Sequence, residues 1–156
     1  MQNIMILLKD EILLEGIEFT GDVCYSGEYG QQVFNLPMEE GGQPITGLIY
    51  EKYSNENINY YCFYKNGIPD GEYVTFYESG KIKSYCIMEQ GSILGEHIVL
   101  YENGRAKLQE QCKYGIVISS KEFNEEGVIV KEKKEPNSFE IGLLEKYERL
   151  YEGKER

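Results

Sequence analysis

The sequence predicts a mainly β protein: an elongated single-layer antiparallel β-meander, built of β-hairpin repeats of about 24 residues, with a C-terminal capping α-helix. Three observations predict this fold. Glycines recur at a shift of 24 residues, apolar and polar residues alternate between them with a period of two, and the C-terminal segment changes to a helical spacing. Because one hairpin alone is only marginally stable in water, each repeat is expected to pair with its neighbours.

The glycines mark the limits of each repeat. A shift of 24 residues places the glycines of one unit on those of the next, at two positions near the start of the unit. A third glycine, three residues after a tyrosine, coincides in the same way. Glycine accepts the positive φ of tight turns, whereas a phosphate loop occurs once, between a strand and a helix. We therefore expect these glycines to separate strands. They are Gly47, Gly67, Gly71, Gly80, Gly91, Gly95, Gly104 and Gly115.

The two clearest units are "NGIPDGEYVTFYESGKIKSYCIME" and "QGSILGEHIVLYENGRAKLQEQCK". Their segments "YESG" and "YENG" predict tight hairpin turns, while "GIPDG" and "GSILG" predict the return connections, in which Pro69 fixes a turn. The preceding unit has Glu56 where the hairpin glycine is expected, and the following unit has Ser119 in place of its second glycine. These two departures leave the geometry of the first and last units open.

The chain is predicted to form one domain, residues 1–156. Residues 1–41 are assigned to N-terminal strands and a degenerate repeat, residues 42–132 to the hairpin repeats, and residues 137–153 to a helix. The N-terminal segment "DEILLEG" is interpreted as a strand that enters the sheet.

The predicted C-terminal helix begins after Pro136, at Asn137 or Ser138. It presents one apolar stripe, which we expect to cover the open edge or face of the sheet, because repeat arrays need caps. The alternative is that the stripe docks into a groove of a partner protein. The stripe consists of Ile141, Leu144, Tyr147, Leu150 and Tyr151.

Charge and composition exclude several classes of function. The net charge of −11 and the pI near 4.6 argue against nucleic acid and anionic membranes as partners, and favour a basic protein. No stretch approaches the roughly 20 apolar residues that cross a bilayer, and the run Ile4–Leu8 lacks the basic start and cleavage site of a signal peptide. A cytoplasmic protein is therefore expected.

No catalytic, metal or cofactor site is predicted. The four cysteines form no CxxC pair and have no neighbouring histidine, so they are expected to be buried thiols in a reducing compartment. The single histidine, His97, falls on Tyr73 and Ile49 in the preceding units, and a position that accepts three unrelated side chains is interpreted as structural. Adjacent glutamates such as Glu39 and Glu40 are interpreted as solvated surface.

The tyrosines carry the best functional signal. One face of a single sheet is expected to remain uncovered, and protein interfaces favour tyrosine. Tyrosine also simply suits half-buried strand positions, and this alternative stays open. Acidic side chains near the tyrosines are expected to attract a cationic partner. The predicted partner-binding residues are Tyr53, Tyr73, Tyr77, Tyr101, Glu51, Glu78 and Glu102.

The repeat pattern resembles the bacterial branch of the MORN repeats (membrane occupation and recognition nexus), in particular the variant of YwqK-type antitoxin proteins. The segments "YKNGIPDGEYVTFYESGKIKS" and "GEHIVLYENGRAK" carry this resemblance. It implies an antiparallel sheet and a non-enzymatic immunity or antitoxin protein that binds a cognate secreted toxin. The expected partner is a toxin with a basic catalytic domain. For this chain itself, neither a nucleic acid partner nor membrane insertion is expected. The alternative is a MORN-repeat scaffold or assembly module.

Overall fold

The computed structural model describes residues 4–154, which form a long β-sheet flanked by two α-helices. A short 3-10 helix, Met38–Glu40, lies between the third and fourth strands. The elements are α1 (Lys9–Glu15), β1 (Ile17–Glu18), β2 (Cys24–Ser26), β3 (Gln32–Phe34), β4 (Gly47–Lys52), β5 (Ile58–Lys65), β6 (Ile68–Phe76), β7 (Ile82–Glu89), β8 (Ser92–Leu100), β9 (Ala106–Lys113), β10 (Ile116–Phe123), β11 (Ile129–Lys133) and α2 (Ser138–Lys154).

The main sheet is an antiparallel meander in which strands β4 to β11 follow one another in sequence order. Strand β1 adds to its N-terminal edge and pairs parallel with β4, while β2 and β3 form a separate two-stranded sheet. Successive pairs of strands form four hairpins, which confirms the predicted mainly β meander with a C-terminal helix. Neither helix of the described chain is long and apolar enough to cross a membrane.

The four hairpins close with equivalent five-residue loops, 53–57, 77–81, 101–105 and 124–128, which we call the loop row. In each loop the first residue donates its N–H to the carbonyl of the fifth, and the fourth donates to the first. The fourth residue has a positive φ in every loop, including Glu56 at 72°, beside Gly80 at 92° and Gly104 at 87°. Glu56 therefore adopts the glycine conformation, and the first unit keeps the geometry of the others.

The return connections are shorter than the sequence pattern indicates. Two-residue turns such as Asn66–Gly67 join the hairpins, and both residues have positive φ, at 51° and 77°. These values are typical of type I′ turns. The prediction that "GIPDG" forms the connection is therefore wrong, because Pro69 and Gly71 lie inside β6.

Gly71 has a separate role within its strand. Its φ is 121°, at a point where the register between β5 and β6 shifts, and a Cβ there would lie 2.9 Å from the Cβ of Phe63. Gly71 and its equivalent Gly95 thus accommodate β-bulges rather than turns. The last repeat, with Ser119, has a smaller register shift at the same position.

The N-terminal segment differs most from the sequence prediction. "DEILLEG" was predicted as a strand, and this is wrong, since residues Lys9–Glu15 form α1. Ile12 of α1 is 1% exposed and packs on Leu48, Tyr50 and Tyr61, on one face of the sheet. We call this the α1 face.

The opposite face is covered at the same end. Val33 of β3 and Ile45 pack on Ile49, Cys62 and Tyr64. We call this the β3 face. Both faces of β4 and β5 are therefore buried, and the main core lies at the N-terminal end of the sheet.

Helix α2 begins with a reciprocal cap. The Asn137 side chain accepts the N–H of Glu140, and the Glu140 carboxylate accepts the N–H of Asn137. Lys133 of β11 donates to both oxygens of Glu140 and to the Val117 carbonyl, which ties the helix to the last hairpin. Three residues of the predicted apolar stripe are half-buried, namely Leu144, Tyr147 and Tyr151. The other two, Ile141 and Leu150, are exposed.

Candidate partner-binding surfaces

The tyrosines of the loop row connect neighbouring hairpins. Tyr53 donates its hydroxyl to the Phe76 carbonyl at 2.6 Å, Tyr77 to the Leu100 carbonyl at 2.6 Å, and Tyr101 to the Phe123 carbonyl at 2.7 Å. Each acceptor lies at the end of the first strand in the next hairpin. Three of the four predicted partner-binding tyrosines thus form a regular hydrogen-bonded series along one edge of the sheet.

The rings of this series also have structural neighbours. Lys83 lies over the Tyr77 ring and Lys107 over the Tyr101 ring, each with its ammonium 5.6 Å from the ring centroid. Such cation–π contacts stabilise exposed sites by about 0.5–1 kcal/mol. The hydroxyls of all three tyrosines and the rings of Tyr77 and Tyr101 therefore have structural partners that the sequence spacing did not reveal, and contact of these tyrosines with a partner protein stays a prediction.

The loop row is also less acidic than the sequence suggested. The predicted residues Glu78 and Glu102 are exposed in their loops, and Lys81 and Arg105 follow them within the same loops. Arg105 donates to the Glu125 carbonyl of the next loop at 3.0 Å. In these two middle loops a cation therefore follows each carboxylate, which weakens their attraction for a basic partner.

The remaining predicted residues, Tyr73 and Glu51, lie elsewhere, on the β3 face. Glu51 is opposite Tyr60 in the register of β4 and β5, and Tyr60 stacks on Tyr73 with centroids 5.9 Å apart and planes at 25°. Burial raises the pKa of the Tyr60, Tyr64 and Tyr73 hydroxyls above the ordinary value. The structure therefore divides the seven predicted residues into two separate groups.

The α1 face contains a polar connection that the sequence analysis missed. The Leu7 N–H donates to the Tyr61 hydroxyl at 3.0 Å, and the half-buried Glu72 carboxylate lies near that hydroxyl. Burial raises the pKa of Tyr61 to about 12 and also raises that of Glu72. Glu72 has no ion pair within the described chain. The connection fixes the segment that leads into α1.

A polar groove of about 340 Å³ lies over strands β8 to β11. Its charged side chains have both signs, and they include Glu96, Lys121 and Glu132. His97 is not among its lining residues. The His97 ring instead pairs with Glu110 directly across β8 and β9, with Nδ1 2.7 Å from Oε1. The groove thus offers polar and charged contacts of both signs.

Three cysteines behave as core residues. Cys62, Cys86 and Cys112 are buried, while Cys24 is partly exposed. Burial raises the pKa of Cys62 and Cys86 to about 12 and that of Cys112 to about 11. Their thiols are therefore protonated at neutral pH and are poor nucleophiles. Among residues 4–154, no group of three or more acidic, histidine or cysteine side chains could hold a metal ion.

Comparison with known proteins finds one informative similarity. Over 57 residues the chain is 40% identical to the immunity protein YwqK of Bacillus subtilis (strain 168), and the match covers 36% of this chain and 36% of that protein. No protein-family model matches the chain. No solved structure matches it either. The similarity supports a YwqK-like relationship over about a third of each protein.

Proposed function

We propose that this chain is an immunity protein that binds and neutralises a protein toxin. The observation that carries the proposal is the 40% identity to an immunity protein over 57 residues. Neutralisation of this kind is binding and not catalysis, and the weakly reactive buried thiols and the structural pairing of His97 agree with a non-enzymatic chain. On the basis of the repeat pattern, we also propose that the hairpin repeats are of the MORN type.

The fold suits a binding protein because hydrogen bonds connect neighbouring hairpins at both ends of the strands. Hydrogen bonds join every hairpin loop to the next along the loop row, through the tyrosines and through side chains such as Asn57 and Arg105. The short turns on the other side are also joined, since Gly91 donates to the Pro69 carbonyl and Gly115 to the Ile93 carbonyl. A preorganised surface loses little conformational entropy when it binds.

The mechanism we propose is steric. The chain binds the catalytic domain of the toxin and covers its substrate entrance. We propose that it does so in the cytoplasm of the cell that makes the toxin, and that it thereby protects that cell. The net charge of −11 favours a basic toxin domain, because opposite charge speeds association and selects against acidic proteins.

Co-expression tests this proposal. The toxin candidate is the product of the neighbouring reading frame, produced in a host with and without this chain. We expect growth arrest with the toxin alone and growth restored by the chain, with a complex that survives size-exclusion chromatography.

The matched control for co-expression is Gly71→Val, because a side chain there meets Phe63 and also needs an unfavourable φ. This variant is expected to lose protection together with its fold. Unchanged growth arrest in the presence of the folded wild-type chain would contradict the proposal.

The second candidate function is a scaffold that assembles through a sheet edge. It is favoured by the exposed edge strand β11, where Ile129 and Val130 are exposed beside Val128. Unpaired edges of this kind can take an added strand. Sedimentation at increasing concentration tests it: concentration-dependent oligomers favour the scaffold, and a constant monomer argues against it.

A further inference from the structure

Large exposed apolar side chains gather at the two ends of the described chain. At the N-terminal end they surround α1, and at the C-terminal end they lie on β11 and on the start of α2. Apolar groups that remain accessible together are typical of interaction sites. The N-terminal group contains Met5, Leu8, Leu13, Leu14 and Ile17, and the C-terminal group contains Val128, Ile129, Val130, Phe139 and Ile141.

Charge distinguishes these two ends. Residues 5–18 contain four acidic residues and one lysine, a formal charge of −3, whereas residues 128–141 contain three of each sign and are neutral. On a larger scale, residues 1–46 contain eight acidic residues and one lysine, so they carry −7 of the total −11. Most of the acidity that favours a basic partner therefore belongs to the N-terminal end of the sheet, which α1 covers on one face.

The exposed residues around α1 are held on a fixed base. Ile12 points inward with 1% exposure, while Leu14, two positions on, is 85% exposed. The segment before the helix is tied down by the hydrogen bond from Leu7 to Tyr61. Beside the helix lies a mostly apolar groove of about 270 Å³ lined by Leu8 and Ile58, and it reaches Asn57 and Gly80 in the first two loops of the loop row. Anchored apolar groups next to a groove are suited to receive side chains of a partner.

We propose that the surface around α1 is the docking site for a partner protein, and that the partner presents a basic amphipathic surface to it. We call this the α1 surface, formed by Met5, Leu8, Leu14, Asp10, Glu11 and Glu15. The apolar side chains bind apolar groups of the partner, and the carboxylates pair with lysine or arginine side chains around them. The inference rests on the proposed function in one respect, since it specifies where the toxin binds.

The chemistry predicts how such binding depends on conditions. Apolar contact contributes about 25 cal/mol per Å² of area removed from water and changes little with ionic strength. The pairing of exposed charges is screened over about 8 Å at physiological salt. Binding at the α1 surface should therefore weaken as salt is raised, without disappearing.

A model peptide tests the surface without any knowledge of the toxin. The probe is a synthetic 14-residue helix of leucine and lysine with one apolar and one basic face, titrated into the full-length ¹⁵N-labelled chain. Chemical-shift changes are expected to concentrate at residues 5–18 and at the strand ends beneath α1. The variant Met5→Ser/Leu14→Ser/Glu15→Lys is expected to weaken the peptide's affinity at least about tenfold, which is 1.4 kcal/mol.

The matched control changes the other apolar end in the same way, through Val130→Ser/Phe139→Ser/Glu135→Lys. All six substituted side chains are exposed, so both variants should keep the wild-type thermal stability. The control is expected to change affinity less than about twofold, well below the tenfold effect. Equal losses in the two variants, or shift changes centred on β11, α2 or the loops 101–105 and 124–128, would overturn the inference.

Toxin co-expression separates this inference from the proposed function. If the wild-type chain protects cells and the Met5/Leu14/Glu15 variant protects them equally, the α1 surface is wrong and the immunity function stands. If the peptide maps to α1 while the wild-type chain neutralises no toxin, the docking surface stands and the immunity function is wrong.

Discussion

Individual tyrosines and glycines show how one residue serves the whole repeat. The Tyr77 hydroxyl bridges to the next hairpin through the Leu100 carbonyl, and Gly80 closes its own hairpin with a positive φ. Both residues were recognised from spacing alone, but spacing did not distinguish a binding tyrosine from a bridging one. That difference depends on which group accepts the hydrogen bond of the tyrosine hydroxyl, and the neighbouring hairpin supplies that acceptor only in the folded molecule.

Tyr77→Phe is expected to lower the stability of the fold. It removes the hydrogen bond to Leu100 and leaves that carbonyl without its partner, which costs about 1 kcal/mol, or about 3 °C in Tm for a chain of this size. Thermal unfolding measures the change. Tyr29→Phe is the control, because Tyr29 is 79% exposed and has no hydrogen bond within the described chain. Equal Tm values for both variants would contradict a bridging role.

Glu56→Gly is expected to stabilise the chain, because Glu56 has a φ of 72°, which only glycine adopts without strain. The ion pair with Lys52 that the substitution removes is exposed and contributes little. Chemical denaturation measures the gain. Glu56→Ala keeps the strain and loses the ion pair, so it should not stabilise; a gain as large as that of glycine would contradict this account.

At the scale of elements, the two helices are attached in different ways. Helix α1 is fixed by an apolar side chain, Ile12, in the main core, whereas α2 is attached through polar contacts at Lys133 and Lys113 and through Tyr114 against Tyr147 and Tyr151. Polar contacts near the surface hold an element less firmly than core packing. Helix α2 is therefore expected to open before the hairpins that it touches.

Lys133→Met is expected to release the first turn of α2, since Lys133 donates to both oxygens of Glu140 and to the Val117 carbonyl. Amide hydrogen exchange in the helix should then rise on the order of tenfold, while β4 to β7 stay protected. Lys131→Met is the control, because its contact with Glu122 is 4.0 Å long and its side chain is 80% exposed. An equal rise in both variants would show that Lys133 is not the tether.

At the scale of the whole molecule, the amount of buried core decreases from the N-terminal to the C-terminal end of the sheet. Its N-terminal end has both faces covered and carries most of the core, and its C-terminal end is a thinner sheet with an exposed edge. Folding stability should therefore depend strongly on how well the N-terminal cover packs. The half-buried Glu72, which lies near Tyr61 beneath that cover, gives this dependence a pH signature.

Glu72→Gln is expected to raise Tm at pH 7. Burial raises the pKa of Glu72 in the folded chain above its ordinary value, so the ionised form disfavours folding above the folded pKa. As pH falls through the folded pKa towards the ordinary value near 4.5, wild-type Glu72 is protonated in the fold and the gain of the variant should shrink. Thermal unfolding at pH 7 and pH 4 measures this. A gain that grows on acidification would contradict it.

The hairpin repeats could be predicted from the sequence, because they depend on local chemistry. Gly80 and Gly104 mark the loops, and the alternation of Val74 and Phe76 marks a strand whatever surrounds it. The bulge at Gly71 could not be predicted, since it follows from the close approach of Phe63 on the adjacent strand. A glycine in a turn and a glycine in a bulge look alike in sequence.

By itself, the sequence determined the repeat, the sheet, the cap of α2 and the sign of the charge, because each of these follows from residues close together in the chain. Only the tertiary structure decided that Lys9–Glu15 is a helix, because Ile12 becomes buried only once Leu48 and Tyr61 are in place. The tertiary structure also decided where apolar and acidic side chains meet. Exposure is a property of the packed molecule, and it is the basis on which we propose the surroundings of α1 as a docking surface, while partner contact through the loop-row tyrosines stays a prediction.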